Sequence, residues 1–228
     1  MPDLSDYERR YLSMLDELQG ALDVDVLHED RGGFEELAGD ADEDFAMIAE
    51  EEGVVLDPSL RRSYLRFEGL STHWAIERPG TYLTGEFSLV HLAAAMLTTG
   101  VDPATDEPSD QERALYAELR PFDEQPRGGD GTLSALHIRP GSNSPEVWYY
   151  HATRGVFRMN LGYAEYLDAL LITKGTHGWQ YLFTDVPMRD ILFQGAAENI
   201  QDMLRIFPEV FPQYDYKPFA ERLAERLR

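Results

Sequence analysis

Acidic residues are concentrated at the beginning of this chain. The first 60 residues contain 19 Asp and Glu against three Arg, whereas the rest of the chain contributes only −6 of the total formal charge of −22. A field of this sign repels nucleic acid and anionic lipid, and it attracts basic partners from solution. The clustering therefore favours a protein that binds a basic protein partner over one that binds nucleic acid or a membrane.

A salt-adapted background is the alternative explanation of this acidity. Arg outnumbers Lys by 18 to 2, a bias that is also typical of a high-GC genome or of an acidic, salt-adapted proteome. Background acidity of that kind spreads evenly along a sequence, whereas here it is clustered. The alternative stays open, but the clustering argues against it.

Length and composition indicate a globular chain. With 228 residues, 43% of them hydrophobic, the chain is long enough for one domain with a packed core. It contains no Cys, which excludes disulfides, thiolate zinc ligands and Cys nucleophiles. The first residues are acidic where a signal peptide is basic, and the longest apolar run, residues 92–97, is too short for a membrane span. We therefore expect a soluble cytoplasmic protein.

Helical and strand periodicities alternate along the chain. Ser5 and Glu8 have the spacing of a capping box at the start of a helix over residues 5–22. The patterns predict further helices over residues 34–52, 57–68, 89–98, 110–119, 163–173, 196–206 and 218–228. They predict strands or extended segments over residues 73–76, 85–89, 133–139, 147–152, 156–161 and 179–184, with an exposed loop at 100–112 and a mobile stretch at 121–131. This order predicts an α+β fold with an antiparallel sheet flanked by helices.

One acidic segment has the spacing of a calcium loop. Asp40, Asp42 and Asp44, with Glu51 eleven positions after Asp40, match ligand positions of an EF-hand. Phe45 occupies the position of the Gly that the sharp turn of such a loop requires. A solvated acidic helix face is therefore the favoured interpretation.

Other catalytic and cofactor signatures are absent from the sequence. The six His have no zinc-binding helical spacing, and no glycine-rich phosphate loop or Gly-x-Ser-x-Gly elbow occurs. His177, in a loop bracketed by glycines, is the one candidate for a catalytic side chain, although a structural role is more common for such a residue. The three Trp (Trp74, Trp148 and Trp179) are more often core residues than interface anchors. We predict no cofactor, no metal ion and no catalytic residue set.

Three segments resemble the SUKH superfamily. Residues 53–69 are similar to the family's Leu-Pro segment followed by a helix, an aromatic residue and Glu-Gly, with Leu56 and Pro58 at the start and Phe67-Glu68-Gly69 at the end. Residues 83–89 are similar to its Gly-aromatic-Leu strand. Residues 147–171 are similar to its strand, strand and Tyr-Leu helix. The resemblance covers most of residues 34–185.

The resemblance implies a non-catalytic function. Many bacterial SUKH proteins are immunity proteins that neutralise toxin domains, often nucleases, and others are regulatory interaction modules. Since a nuclease binds phosphates with Lys and Arg, its inhibitor gains association rate from carboxylates. We therefore expect an immunity protein that binds a basic toxin domain, with a regulatory scaffold, or less favourably a small hydrolase around His177, as alternatives. The predicted partner-binding residues are Asp40, Asp42, Glu43, Asp44, Glu50, Glu51 and Glu52.

The chain also departs from a minimal member of the family. Residues 100–144 have the character of an insertion, and the segment after residue 185 exceeds the family's usual length. We predict one domain over residues 1–228. Its core spans about residues 34–185, with an N-terminal helix over 5–22 and a helical C-terminal tail over 190–228.

Overall fold

A computed structural model describes residues 4–33, 41–98, 100–101, 109–129, 131–138 and 143–228 of the chain. Its centre is a seven-stranded antiparallel sheet in which every strand pairs with the next one along the sequence. The strands are β1 (Asp25–Asp30), β2 (Gly69–Arg78), β3 (Thr81–Val90), β4 (Leu119–Glu124), β5 (Thr132–His137), β6 (Glu146–His151) and β7 (Gly155–Arg158). The predicted α+β class with antiparallel pairing is confirmed.

Seven α-helices and two 3₁₀ turns surround this sheet in the described part of the chain. The helices are α1 (Asp6–Gly20), α2 (Ala41–Glu51), α3 (Leu92–Leu97), α4 (Asp110–Glu118), α5 (Tyr163–Thr173), α6 (Gln194–Val210) and α7 (Lys217–Arg226). The predicted capping box of α1 is formed, because the Ser5 hydroxyl accepts the Glu8 amide and the Glu8 carboxylate accepts the Ser5 amide. No described helix is both long enough and apolar enough to cross a membrane.

The hairpin of β2 and β3 is the longest in the sheet. It turns at the predicted Pro79-Gly80 pair, where Gly80 has a φ of +78° and Arg78 faces Thr81 across the strands. Both strands extend well beyond the predicted segments. Trp74 of this hairpin packs against Phe207 of α6, and the loop after α5 contacts β3, where the amide of His177 donates to the Thr84 carbonyl.

The segment that resembled an insertion forms part of the sheet. Residues 100–144 contain α4, β4 and β5, and the two strands lie fourth and fifth of the seven. The expected mobile stretch over residues 121–131 is therefore wrong for residues 121–124, which belong to β4. Phe122 and Asp123 are buried there, and Pro121 is tolerated beside an irregularity in the β4–β5 pairing.

Two other predicted elements are wrong. Residues 57–68 form only a 3₁₀ turn, Pro58–Ser63, and then run extended, because Tyr64, Leu65 and Phe67 all reach the core. The predicted extended piece at residues 179–184 is the 3₁₀ turn Trp179–Phe183. Its residues 179–182 are all buried, a pattern that an alternating, half-exposed strand does not give.

Both ends of the chain contribute to the core. Helix α1 buries Tyr11, Met14, Leu15 and Leu18, and helix α6 buries Ile200, Met203, Ile206 and Phe207. These side chains belong to the same hydrophobic cluster as the sheet and α5. The N-terminal helix and the C-terminal helices are thus packed against the same hydrophobic core as the sheet.

Candidate functional site

Helix α2 carries most of the predicted partner-binding residues. Its inner face buries Phe45 and Ile48, which fixes the opposite face toward solvent. Five of the predicted carboxylates are exposed: Asp42, Glu43, Glu50, Glu51 and Glu52. We call these five residues the α2 acidic face.

Two predicted site residues are not part of that face. Asp40 lies outside the described residues. Asp44 is 4% exposed and points inward, where its Oδ2 lies 3.5 Å from Nε2 of His91. The expectation that Asp44 is exposed to a partner is therefore wrong, since its helical position faces the core between Ala41 and Ile48.

Most of the acidic residues that the structure describes before α2 form ion pairs within the fold. Glu8 pairs with Arg66, Glu17 pairs with Lys174, and Asp23 pairs with Arg78, at distances of 2.8, 2.8 and 2.6 Å. Arg31 lies between Asp16 and Glu29 and pairs with both. The clustering in the sequence therefore overstates the unbalanced charge around α1 and β1.

The two ends of helix α2 differ in whether their acidic side chains are paired with a basic residue. At its N-terminal end Asp42 accepts a hydrogen bond from Nε of Arg61 at 2.6 Å. At its C-terminal end there is no basic residue in the last turn, and within the described part of the chain Glu50, Glu51 and Glu52 form no ion pair. The unbalanced negative charge of the acidic face is thus concentrated at the end of the helix.

The position of these three carboxylates is electrostatically unfavourable. The C-terminal end of a helix carries partial negative charge, so acidic side chains there are repelled by the helix dipole and by one another. By contrast, Asp42 and Glu43 lie at the N-terminal end, where the dipole favours them. A cationic surface placed against Glu50, Glu51 and Glu52 would relieve this repulsion.

A polar cleft of about 280 Å³ is the second candidate site. Five segments meet at it: the β4–β5 loop, the start of β5, the end of β6 with the following turn, the loop after α5, and the first turns of α6. Side chains or backbone of Gln125, Gly128, Gly129, Thr132, Tyr149, His151, Arg154, His177, Gly178, Gly195, Ala196, Glu198 and Asn199 line it.

His177 is held at the edge of this cleft by strand β3. The backbone amide of His177 donates to the carbonyl of Thr84 at 3.1 Å, and Nδ1 of its ring lies 3.0 Å from the Thr84 hydroxyl. The ring stacks on His73 with centroids 6.5 Å apart. His177 thus lines the cleft, and no sequence pattern indicated that His73 lies beside it.

Glu86 lies behind these rings and holds the neighbouring loop. It is 2% exposed, and its carboxylate accepts the backbone amides of Arg127 and Gly128 at 2.8 and 2.7 Å. Its Oε2 lies 4.0 Å from Nε2 of His177. Because the carboxylate is committed to backbone amides, it positions the β4–β5 loop rather than facing the cleft.

Glycine is the sequence signal that could have located this cleft. A Cβ at Gly128 would lie 2.9 Å from Cε1 of His177 and 3.2 Å from Nε2 of His73, so the loop closes over the rings only with glycine. The glycines at 128, 129 and 131 belong to the segment for which the sequence predicts a mobile stretch. Its role as one wall of the cleft depends on contacts distant in sequence.

The acidic segment with calcium-loop spacing and the three Trp occupy ordinary positions in a helix, in the core and on the sheet. Residues 41–51 are helical, and no group of three or more metal-ligating side chains is arranged for a metal ion among the described residues. Trp74 and Trp179 are fully buried, as core residues are, whereas Trp148 is half-buried on the sheet.

Comparisons with known proteins give no assignment. No protein-family model, no curated protein and no solved structure matches this chain.

Proposed function

We propose that this protein is a non-catalytic binding module that uses the α2 acidic face to bind a basic protein. The observation that carries the proposal is the group of Glu50, Glu51 and Glu52 at the C-terminal end of α2. Three carboxylates at that place lower the stability of the isolated fold. Such an arrangement is understandable where a cationic partner compensates for it.

The proposed partner is a toxin domain such as a nuclease, and the proposed role is that of an immunity protein. This part rests on the resemblance to the SUKH superfamily and on charge complementarity, since a nuclease must present Lys and Arg to phosphates. The proposal includes a cytoplasmic location, where such a partner would meet its inhibitor. A regulatory interaction module would use the same face on a different basic partner.

A small hydrolase is the less favoured function. His177 lines a cleft, which is the observation in its favour. However, the neighbouring Glu86 carboxylate is buried and bonded to two backbone amides, so it is not placed to orient His177 as a base acting on substrate.

The test compares two charge-reversal variants. The partner is captured from host lysate on the wild-type chain, purified, and used to measure association kinetics. Glu50→Lys/Glu51→Lys is expected to lower the association rate constant about tenfold and to weaken its salt dependence. Glu221→Lys/Glu225→Lys on α7 changes the net charge equally and serves as the matched control.

The two variants distinguish a local surface from overall charge. The proposal requires the α7 control to associate within about twofold of the wild type, since a charge outside the interface acts only through a screened field. Equal decreases of the association rate constant in both variants would show that total charge, and not the α2 acidic face, attracts the partner. Unchanged kinetics in both would remove the face from the interaction altogether.

A further inference from the structure

We propose that the cleft beside His177 binds a small anionic ligand that carries one phosphate or carboxylate group. This site is separate from the α2 acidic face, because no residue of α2 lines it. The proposal goes beyond the function proposed above and does not depend on it.

Arg154 supplies a positive charge at the wall of the cleft. Its guanidinium lies 5.8 Å from the ring centroids of both Tyr181 and Phe193, and its Nη1 donates to the Tyr181 hydroxyl at 3.4 Å. Within the described residues no carboxylate comes within ion-pair distance of it. In a chain with a net charge of −22, a cation oriented by neutral rings beside a cleft remains available to an external anion.

The cleft also receives backbone donors from the start of α6. Gly195 and Ala196 line it, and the first hydrogen bond of the helical type runs from the amide of Ala197 to the carbonyl of Phe193. The amides of residues 194–196 precede that bond and have no acceptor inside the helix. An anion bound at this end of the cleft would therefore meet amide donors and the positive end of the helix dipole.

Two imidazole rings complete the polar lining. His151 is 5% exposed, and its Nδ1 accepts the backbone amide of Thr153 at 3.2 Å. His177, from the loop after α5, also lines the cleft. The cleft thus combines a guanidinium, helix amides and imidazoles from three separate segments.

The size and the one acidic residue of the cleft restrict the ligand. About 280 Å³ lies at the lower end of small-molecule sites, so the ligand has few heavy atoms. Glu198 is exposed at the mouth and bonded to Nε2 of Gln194 at 2.8 Å. A carboxylate at the mouth disfavours a polyanion, which is why a single anionic group is proposed.

The test titrates the full ¹⁵N-labelled chain with inorganic phosphate, and separately with acetate, at constant ionic strength. We expect saturable shifts of the Gly128 and Gly195 amides. Arg154→Gln should raise the Kd about tenfold, because a charge-assisted hydrogen bond is lost. Tighter binding of phosphate would identify a phosphorylated ligand, and tighter binding of acetate a carboxylate.

A pair of Asp substitutions on α6 keeps the test decisive if the Arg154 variant does not fold. A Cβ at Gly195 meets no atom within 4 Å, so Gly195→Asp fits. Its side chain satisfies the helix amides itself and should abolish phosphate and acetate binding. Gln201→Asp places the same charge at an exposed position of α6 that does not line the cleft, and it should bind like the wild type. Shifts that do not saturate, or equal binding by the two Asp variants, would overturn the proposal.

Discussion

Glu8 and Arg66 connect helix α1 to the segment that enters the sheet, through a carboxylate with no exposed surface. Oε1 of Glu8 accepts the backbone amide and Nε of Arg66 at 3.0 and 2.9 Å, and Oε2 accepts Nη2 of Arg66 at 2.8 Å and the Ser5 amide at 2.8 Å. Burial favours the protonated acid, but these hydrogen bonds outweigh it and lower the pKa of Glu8 below its ordinary 4.5.

Removing this carboxylate should destabilise the fold strongly. Glu8→Ala leaves the Arg66 donors without their acceptor and is expected to lower the free energy of unfolding by about 3 kcal/mol, with a smaller loss for Glu8→Gln. Because the folded-state pKa is lowered, the stabilisation is present above about pH 4.5 and is lost as the pH falls. Urea unfolding of wild type and Glu8→Gln at several pH values checks this, and a difference that persists undiminished in acid would contradict it.

Asp123 joins the two halves of the sheet. Strands β3 and β4 pair at Leu89 and Asp123, and the Asp123 carboxylate accepts the Ser88 amide at 2.9 Å and the Tyr166 hydroxyl at 2.6 Å. Burial raises the pKa of Asp123 to about 7, although those two hydrogen bonds favour the charged form.

The raised pKa of Asp123 predicts that the folded protein becomes less stable as the pH rises from acid to neutral. A raised folded-state pKa means that stability is fully present below pH 3.8 and declines as the pH rises to about 7. The difference between those pKa values corresponds to at most about 4 kcal/mol. Asp123→Asn mimics the protonated acid, so it should equal the wild type near about pH 4 and exceed it near about pH 8. A wild type that is the more stable protein at the higher pH would refute this account.

Gly85 leaves room for the Trp74 ring on the neighbouring strand. A Cβ at Gly85 would lie 2.6 Å from Cε2 of Trp74, and the ring cannot move away because its Nε1 donates to the Lys174 carbonyl at 2.7 Å. Gly85→Ala is expected to lower the unfolding free energy by about 1–3 kcal/mol. Gly20→Ala, which meets no atom within 4 Å, is the control and should not be destabilised. Thermal unfolding of both variants measures the effect.

The α2 acidic face predicts a gain in stability on charge reversal. Glu50→Lys/Glu51→Lys replaces repulsion at the helix end with attraction and is expected to raise the Tm by about 2–4 °C. The same variant should bind the partner more slowly, so stability and binding should change in opposite directions. A lowered Tm would show that these carboxylates have a stabilising role in the isolated protein. In that case the electrostatic argument for the face would be lost.

Sequence patterns correctly predicted those elements that depend on interactions between neighbouring residues. The capping box at Ser5 and Glu8, the turn at Pro79-Gly80 and the helix over residues 163–173 all follow from neighbouring residues, and all are present. The central position of β4 could not be predicted, because pairing partners in a sheet are chosen by contacts distant in sequence.

Of the two candidate sites, α2 could be predicted from local sequence patterns and the cleft could not. The exposed positions of α2 follow from helical periodicity, but the acidic run over residues 42–44 includes both exposed and buried positions, and composition alone does not separate Asp44 from its neighbours. Glu86 and His73 approach His177 from strands β3 and β2, and Arg154 lines the same cleft from the turn after β6. No spacing rule relates them, so the cleft is visible only in the folded structure.

The association rate constant of the wild-type chain with its partner, measured as a function of salt, tests the central claim most directly. An acidic face that attracts a basic protein predicts a fall of about tenfold or more between about 20 mM and about 200 mM salt, with a much shallower dependence for Glu50→Lys/Glu51→Lys. A rate constant that is independent of salt for the wild type would contradict the claim that the α2 acidic face recognises its partner by charge.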